Sequence, residues 1–478
     1  MEGFKFSLAN NVSLKADAKG FFLISRAPVK ILRINESLFN LLNHISEGGE
    51  LSDFPTANPQ NTVKVLLTLV ARGYLKLEST APLTEFPNVS VIIPVRDQPE
   101  NLIDCLKALE KVRYPRDKLE IIVVDDGSAK DVSQIIKGFN IKVIRHEKAK
   151  GAAACRNIGA VNAKGDILAF LDADCIAGEG WLEELAPFFW YVGAGAAGGY
   201  IDGYDTRTSL DRYEKVFSPL NMGNRFIIEG KGESGFYVPT ANLLVNREAF
   251  KAIGGFKEGM EVGEDVDFCW RLREKGYTLV YRPCGSVAHK HRNKLGSMLK
   301  RRFEYGTSEA QLYGAHRDKK KGFNIAILPG LSFIALTLAI MLMNPYPLCA
   351  LPVLFAVDLW IKSDAVKRYR INITLSQKAM SALRAYFSFF YFTFFHLMRY
   401  YLILIMGLGF AWYPFWIWGG VAIIYTSITD YAVKKPRVFY VVFLFYYLLE
   451  HIVYQAGVFW GCVKHGYFGS YLITFKRA

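Results

Sequence analysis

The segment Ile167-Leu168-Ala169-Phe170-Leu171-Asp172-Ala173-Asp174 constrains this chain more than any other, because a run of apolar residues ends there in two carboxylates one residue apart. A strand buried on both faces reads as such a continuous apolar run. In open α/β sheets the ligand site lies just beyond the carboxyl ends of the strands. The acidic pair therefore falls where a site is expected. If the strand continues, Asp172 and Asp174 project to one side, and two hard oxygen ligands suit Mg²⁺ or Mn²⁺ better than a soft metal. A surface turn with two solvated acids would use the same residues, so the surrounding chain has to decide.

Around this segment strands and helices alternate. The apolar run from Val89 to Pro94 predicts a strand, as do 119–124, 141–144 and 167–171, and helices are expected over 101–112, 132–137 and 152–162. That alternation implies a parallel sheet joined by right-handed crossovers. Asp125 and Asp126 then close one strand as Asp172 and Asp174 close another, and both pairs face the same rim. Four carboxylates at one rim need cations to offset them. A divalent metal would serve, as would Arg156, a planar donor suited to phosphate on the helix that Gly151 opens.

The stretches Val91 to Pro94, Val123 to Ser128, Gly151 with Arg156, Asn157 and Gly159, and Leu171 to Asp174 resemble, in order and spacing, the successive motifs of family 2 glycosyltransferases. Pro239 to Leu243, Gly254-Gly255-Phe256 and Gly263 to Phe268 resemble the acceptor half of the same domain. The resemblance implies an α/β fold with a nucleotide-sugar-binding, Rossmann-like domain of the glycosyltransferase A type. It places Pro94, Val95 and Asp126 or Asp125 by the nucleobase, Arg156 near the base and diphosphate, Asp172 near the ribose and Asp174 on the metal. It also implies Asn242 as a substrate contact and Asp265, with Glu264 beside it, as the general base. Gly263 and the apolar positions Val266, Phe268, Trp270 and Leu272 predict a helix whose first turn holds both acids; helix capping is the alternative use of the pair. His289 is a candidate third metal ligand, a diphosphate donor or a packed histidine. Where processive relatives carry Gln-x-x-Arg-Trp this chain has Arg301-Arg302-Phe303, which argues against long-chain polysaccharide synthesis.

Before this domain, residues 1–80 read as a small α+β, winged-helix-like unit, with strands near 12–15, 21–25 and 31–34, helices over 36–45 and 62–72, and a helix stop at Gly73. The pattern from Arg33 to Glu36 and the closing Ala71 to Leu75 resemble the small PqqD-like domains that bind precursor peptides, which implies a peptide or biosynthetic partner. A packing domain with no ligand is the alternative. The linker 78–87 carries two prolines and no periodicity.

After the catalytic domain (88–295) comes a basic amphipathic stretch (296–322), and residues 323–478 hold apolar spans near 323–343, 346–361, 385–407, 411–428 and 438–460. The chain has 478 residues and a formal net charge of +14. Its Lys and Arg cluster beside the apolar spans, as in Lys367-Arg368, which favours membrane lipid and phosphorylated substrates over nucleic acid. Basic loops at 362–370 and 434–437 place the catalytic domain on the cytoplasmic face of a multi-pass cell-membrane protein. The N-terminus lacks a basic region followed by an apolar core, so no signal peptide is expected, and seven scattered cysteines fit a reducing compartment.

Taken whole, the arrangement resembles the glycosyltransferases of the mycofactocin system. That implies inverting transfer of glucose from UDP-glucose, with Mg²⁺ or Mn²⁺, onto the redox cofactor mycofactocin or its precursor. A lipid-linked or cell-envelope glycan acceptor is the first alternative, and a non-catalytic peptide-binding scaffold the second.

Overall fold

The computed structural model describes residues 4–80, 85–291, 293–319, 321–368 and 371–477. Residues 1–3, residues 81–84 of the expected linker, Lys320 and the end of the basic loop at 369–370 lie outside the described residues. The chain forms two compact units: residues up to Ser7 together with Glu50–Ser297, and Leu8–Gly49 together with residues from Met298 onward. The N-terminal stretch contributes to both.

The first unit is built on an eight-stranded sheet. Ile167–Phe170 lies inside it, parallel to Val89–Val95 on one side and antiparallel to Leu243–Asn246 on the other. Beyond Val89–Val95 follow Leu119–Asp125 and Lys142–Arg145, all parallel. The other flank runs through Ala196–Gly198 and Leu279–Tyr281 to Ile227–Glu229. The sheet is therefore mixed and not purely parallel. Only its first half repeats the strand-helix-strand unit that forces parallel pairing; Leu243–Asn246 enters from a 3₁₀ turn at Thr240–Asn242 and runs the opposite way. Residues 132–137, expected to be helical, form a single 3₁₀ turn over Val132–Gln134.

Why these strands are central follows from their side chains. Ile167, Ala169 and Leu171 pack into the core on one face of the sheet, and Leu168 and Phe170 into the core on the other. Alternate residues of a strand point to opposite faces, so an unbroken apolar run is stable only where both faces are covered. The helix Pro99–Leu109 covers the first face with Leu102, Cys105, Leu106 and Leu109, each large apolar side chain contributing about 1.5–3 kcal/mol. On the other face the helix Ala152–Val161 comes so close that a Cβ on Gly159 would collide with Ile92 Cγ2.

The second unit contains an antiparallel sheet of Val12–Asp17, Gly20–Arg26 and Val29–Ile34 with the helix Glu36–Ser46. It also holds five apolar helices, Ile327–Met341, Ala350–Arg368, Leu375–Leu408, Pro414–Lys434 and Tyr440–His465. Among the described residues two of them, Leu375–Leu408 and Tyr440–His465, are long and apolar enough to cross a membrane. The basic stretch after the catalytic domain is helical through Ala315, and its Arg302 is buried, 3.3 Å from Glu450.

Candidate active site

Each acid at the sheet rim has its own counter-group. Asp125 ends its strand fully buried; its Oδ2 receives Arg145 Nη1 at 2.7 Å and its Oδ1 the Ser128 N–H at 2.9 Å. Asp126 is buried beside it and accepts the backbone N–H groups of Lys150 (2.7 Å) and Gly151 (2.9 Å). Burial works to raise the Asp126 carboxyl, but those two N–H donors, with Cys155 and His146, hold it below its ordinary value. Gly151 is at φ +92°, a conformation glycine adopts without strain, and this turns its N–H back onto Asp126.

The opposing strand end does not extend as the sequence implies. The strand stops at Phe170, and Asp172 to Asp174 lie in a turn, so the two acids diverge. Asp172 Oδ1 accepts Arg156 Nη2 at 2.7 Å, whereas Asp174 Oδ1 lies 3.4 Å from His289 Nε2. Arg156 is buried. Its Nη1 donates to Glu264 Oε1 at 2.8 Å and its guanidinium lies over the Phe256 ring at 5.7 Å. Burial disfavours the charge, but the carboxylates of Asp172 and Glu264 outweigh it and the guanidinium stays protonated.

Glu264 and Asp265 stand at the first turn of the helix Glu264–Glu274, which opens from Gly263 at φ +84°. Asp265 is partly buried and accepts the Val266 N–H at 2.8 Å. Burial, and then the neighbouring Glu264, push its carboxyl up to about 7 against the pull of Arg156.

At this rim, among the described residues, two groups of side chains have the donors for a cation. Asp174, Cys175 and His289 each place a ligand atom within 4.8 Å of the others, and the antiparallel pairing of Cys175 with His289 makes them neighbours. Burial raises the Cys175 thiol well above its ordinary value, so it stays protonated; oxygen from Asp174 and nitrogen from His289 form the set suited to Mg²⁺ or Mn²⁺. His289 Nδ1 faces His291 Nδ1 at 3.1 Å, a contact in which one ring donates; when that is His289, its Nε2 lone pair is left facing Asp174. Asp126, His146 and Cys155 form a second such group, but both Asp126 oxygens already accept backbone N–H groups.

Other residues of the expected site are placed differently. Pro94 and Val95 end the first strand, and the Val95 carbonyl accepts the Asp126 N–H at 2.9 Å. Asn242 is fully buried and its amide is engaged: it accepts Trp181 Nε1 at 2.7 Å and donates to the carbonyls of Gly285 (2.8 Å) and Tyr200 (3.2 Å). Its place is a bracket between strands. Sequence reasoning passed over Asp97 and Arg145, and it named Asn157 in a motif without giving it a role. Asp97 stands at φ +52°, accepts the Ala129 N–H at 2.8 Å and donates its own N–H to Ser128 Oγ at 3.0 Å, so it clamps the loop after Asp126. Asn157 bonds both backbone groups of Phe256.

Residues 90–254 match the family described as Glycosyl transferase family 2. Among curated proteins the chain is 37% identical over 236 residues to a pre-mycofactocin glycosyltransferase of Mycobacterium tuberculosis, covering 48% of this chain and 49% of the relative. It is 31% identical over 234 residues to glycosyltransferase AglE of Haloferax volcanii, covering 48% of this chain and 74% of the relative. The chain thus spans about half the length of the mycobacterial relative it matches. Among solved structures, a Pyrobaculum calidifontis mannosyltransferase in complex with GDP-Man and Mn²⁺ aligns at 18% identity with a TM-score of 0.39, covering 63% of this chain and 88% of that one. The mixed sheet, with acids at the carboxyl ends of its parallel strands, is that of the glycosyltransferase A fold. By the matched catalytic segment and by its kinship with AglE, the chain belongs to glycosyl transferase family 2.

Proposed function

We propose that the protein is a metal-dependent, inverting hexosyltransferase that takes glucose from UDP-glucose and transfers it to mycofactocin or its precursor. The observation that carries this reading is Asp265: a partly buried carboxylate on the first turn of a helix, with a proton affinity raised into the neutral range. A base of that strength accepts the proton of an acceptor hydroxyl near pH 7. The hydroxyl oxygen bonds to the sugar's anomeric carbon as the bond from that carbon to the diphosphate oxygen breaks. A single displacement needs one base and inverts the configuration. Asp126 and the Pro94–Val95 strand end hold the nucleobase side of the donor. Asp174 and His289 would hold Mg²⁺ or Mn²⁺, which when bound offsets the charge of the departing nucleoside diphosphate.

The kinship with the mycobacterial relative supports the acceptor, and the two long apolar helices support membrane attachment; several spans, with the catalytic part in the cytoplasm, complete the proposal. Residues 1–80 are proposed as a PqqD-like region that meets a peptide partner. The same apolar helices also favour a second reading, a lipid-linked acceptor.

The test is calorimetric titration of the detergent-solubilised protein with UDP-glucose, UDP and GDP-mannose, each with and without Mn²⁺. It is followed by transfer assays with mycofactocin precursor and with lipid extract. Metal-dependent binding of the uridine ligands and transfer to the precursor are expected. Absence of binding to all three would remove the donor class, and transfer to lipid extract alone would replace the acceptor.

A further inference from the structure

We infer that Arg156 is a positioning residue: it holds Glu264, and through it the Asp265 helix, in place against the donor rim, and does not bind the diphosphate. The inference deepens the proposed reading of Asp265 as base and rests on it. Three observations carry it. Both terminal nitrogens of the guanidinium are taken, Nη1 by Glu264 at 2.8 Å and Nη2 by Asp172 at 2.7 Å. The side chain is 4% exposed, with the Phe256 ring across its face at 5.7 Å, which leaves a phosphate little access. The next residue, Asn157, grips the same part of the chain by bonding the Phe256 N–H and carbonyl, both at 2.9 Å.

Adjacent residues of one helix therefore fasten the donor half to the loop and helix that present Asp265. Geometry of this kind matters because a base must sit within hydrogen-bonding reach of the proton it takes. Arg156 also separates two acids electrically. The groups that act on Asp265 are Glu264 and Asp172, both negative, and Arg156, the cation set between them. Without it, Glu264 would remain as an uncompensated carboxylate beside the base.

The experiment uses the full-length protein in detergent, with UDP and UDP-glucose in the presence of Mn²⁺ as ligands and the slow hydrolysis of UDP-glucose to free UDP as the reaction. In Arg156→Gln the affinity for UDP should stay within about threefold, while kcat falls on the order of 100-fold with KM little changed. The rising limb of kcat against pH should move up by about one unit. The double variant Arg156→Gln/Glu264→Gln removes the unpaired carboxylate and should bring that limb back and recover at least about tenfold of kcat. Arg156→Lys, which keeps the charge but cannot span both acids, should fall between wild type and Gln.

Loss of UDP affinity in Arg156→Gln as complete as in Asp174→Ala would overturn the inference and return the arginine to the diphosphate. So would a pH limb that does not move. Failure of the underlying reading shows separately, as no nucleotide binding by the unsubstituted protein, and that result would remove the inference as well.

Discussion

Asp125 and Arg145 are paired in register at the ends of adjacent parallel strands, and their side chains meet at 2.7 Å. The carboxylate is fully buried and the guanidinium partly exposed. Arg145 also donates to the Ser128 carbonyl at 2.8 Å, so one side chain ties the strand end to the loop that carries Asp126. This pair fixes the strand end and its loop, whereas Asp126 faces the backbone of Lys150 and Gly151.

Asp125→Asn should therefore act on stability first. It removes the charge that compensates Arg145 and weakens the bond to the Ser128 N–H. Because the partly exposed guanidinium keeps its contact with water, the cost is about 1–2 kcal/mol. The expected result is a fall of several degrees in melting temperature with a parallel loss of UDP affinity. Unchanged melting with lost affinity would instead make Asp125 a direct nucleobase contact.

Asp174→Ala and His289→Ala should both weaken the metal dependence of donor binding. Losing one of two protein ligands should cost about ten- to 100-fold in Mn²⁺ affinity, with UDP affinity in chelator nearly unchanged. Titration of each variant with Mn²⁺ alone and then with UDP separates the two effects. If His289→Ala binds Mn²⁺ as well as wild type does, His289 is a packing residue.

Much of this site was legible because its signals are local. Asp126 follows a strand end, Gly151 and Asp265 stand at helix starts, Arg156 lies one turn into its helix and Asp174 in the turn after a strand, and apolar runs and glycines mark such places. The partners were not legible. Arg145 faces Asp125 only through strand register, and Asp97 takes a left-handed backbone that the sequence of an aspartate does not announce. Asn242 illustrates the converse: its place in a motif pointed to ligand contact, yet its amide is spent on Trp181, Tyr200 and Gly285. The sheet's second half was hidden for the same reason. Antiparallel entry of Leu243–Asn246 depends on contacts across the sheet, while the parallel half is dictated by repeated local alternation.

In the second unit, Gly306 meets the helix Tyr440–His465 at Tyr454, Gly457 and Val458, and Gly461 follows Gly457 by four residues. A Cβ on Gly457 would collide with the Phe303 carbonyl, and one on Gly461 with that of Thr307. Small residues at this spacing let two helix backbones approach closely. Gly457→Leu should destabilise the detergent-solubilised protein by about 3 kcal/mol through overpacking. A Cβ on Gly420 meets nothing within 4 Å, so Gly420→Ala should be neutral or slightly stabilising. Equal melting temperatures for Gly457→Leu and Gly420→Ala would show that the close approach is dispensable.

Asp265 yields a prediction in which activity and stability move in opposite directions with pH. Burial and the Glu264 charge raise its carboxyl to about 7, so below that value it is mostly protonated and cannot act as a base. Transfer should rise with pH and level off above neutrality, with a midpoint near 7 in kcat. The stability sign is the reverse. The folded state holds this proton more tightly than the unfolded chain, so the group's contribution is fully present below the ordinary carboxylate range and is lost as pH rises through 7. Asp265→Asn removes the titration and the base together. It should bind UDP nearly as wild type does, transfer sugar about 1,000-fold more slowly, and show neither the rising limb nor this part of the stability slope. A variant that keeps the limb would assign the titration to another group, and Glu264→Gln, measured alongside, identifies whether that group is its neighbour.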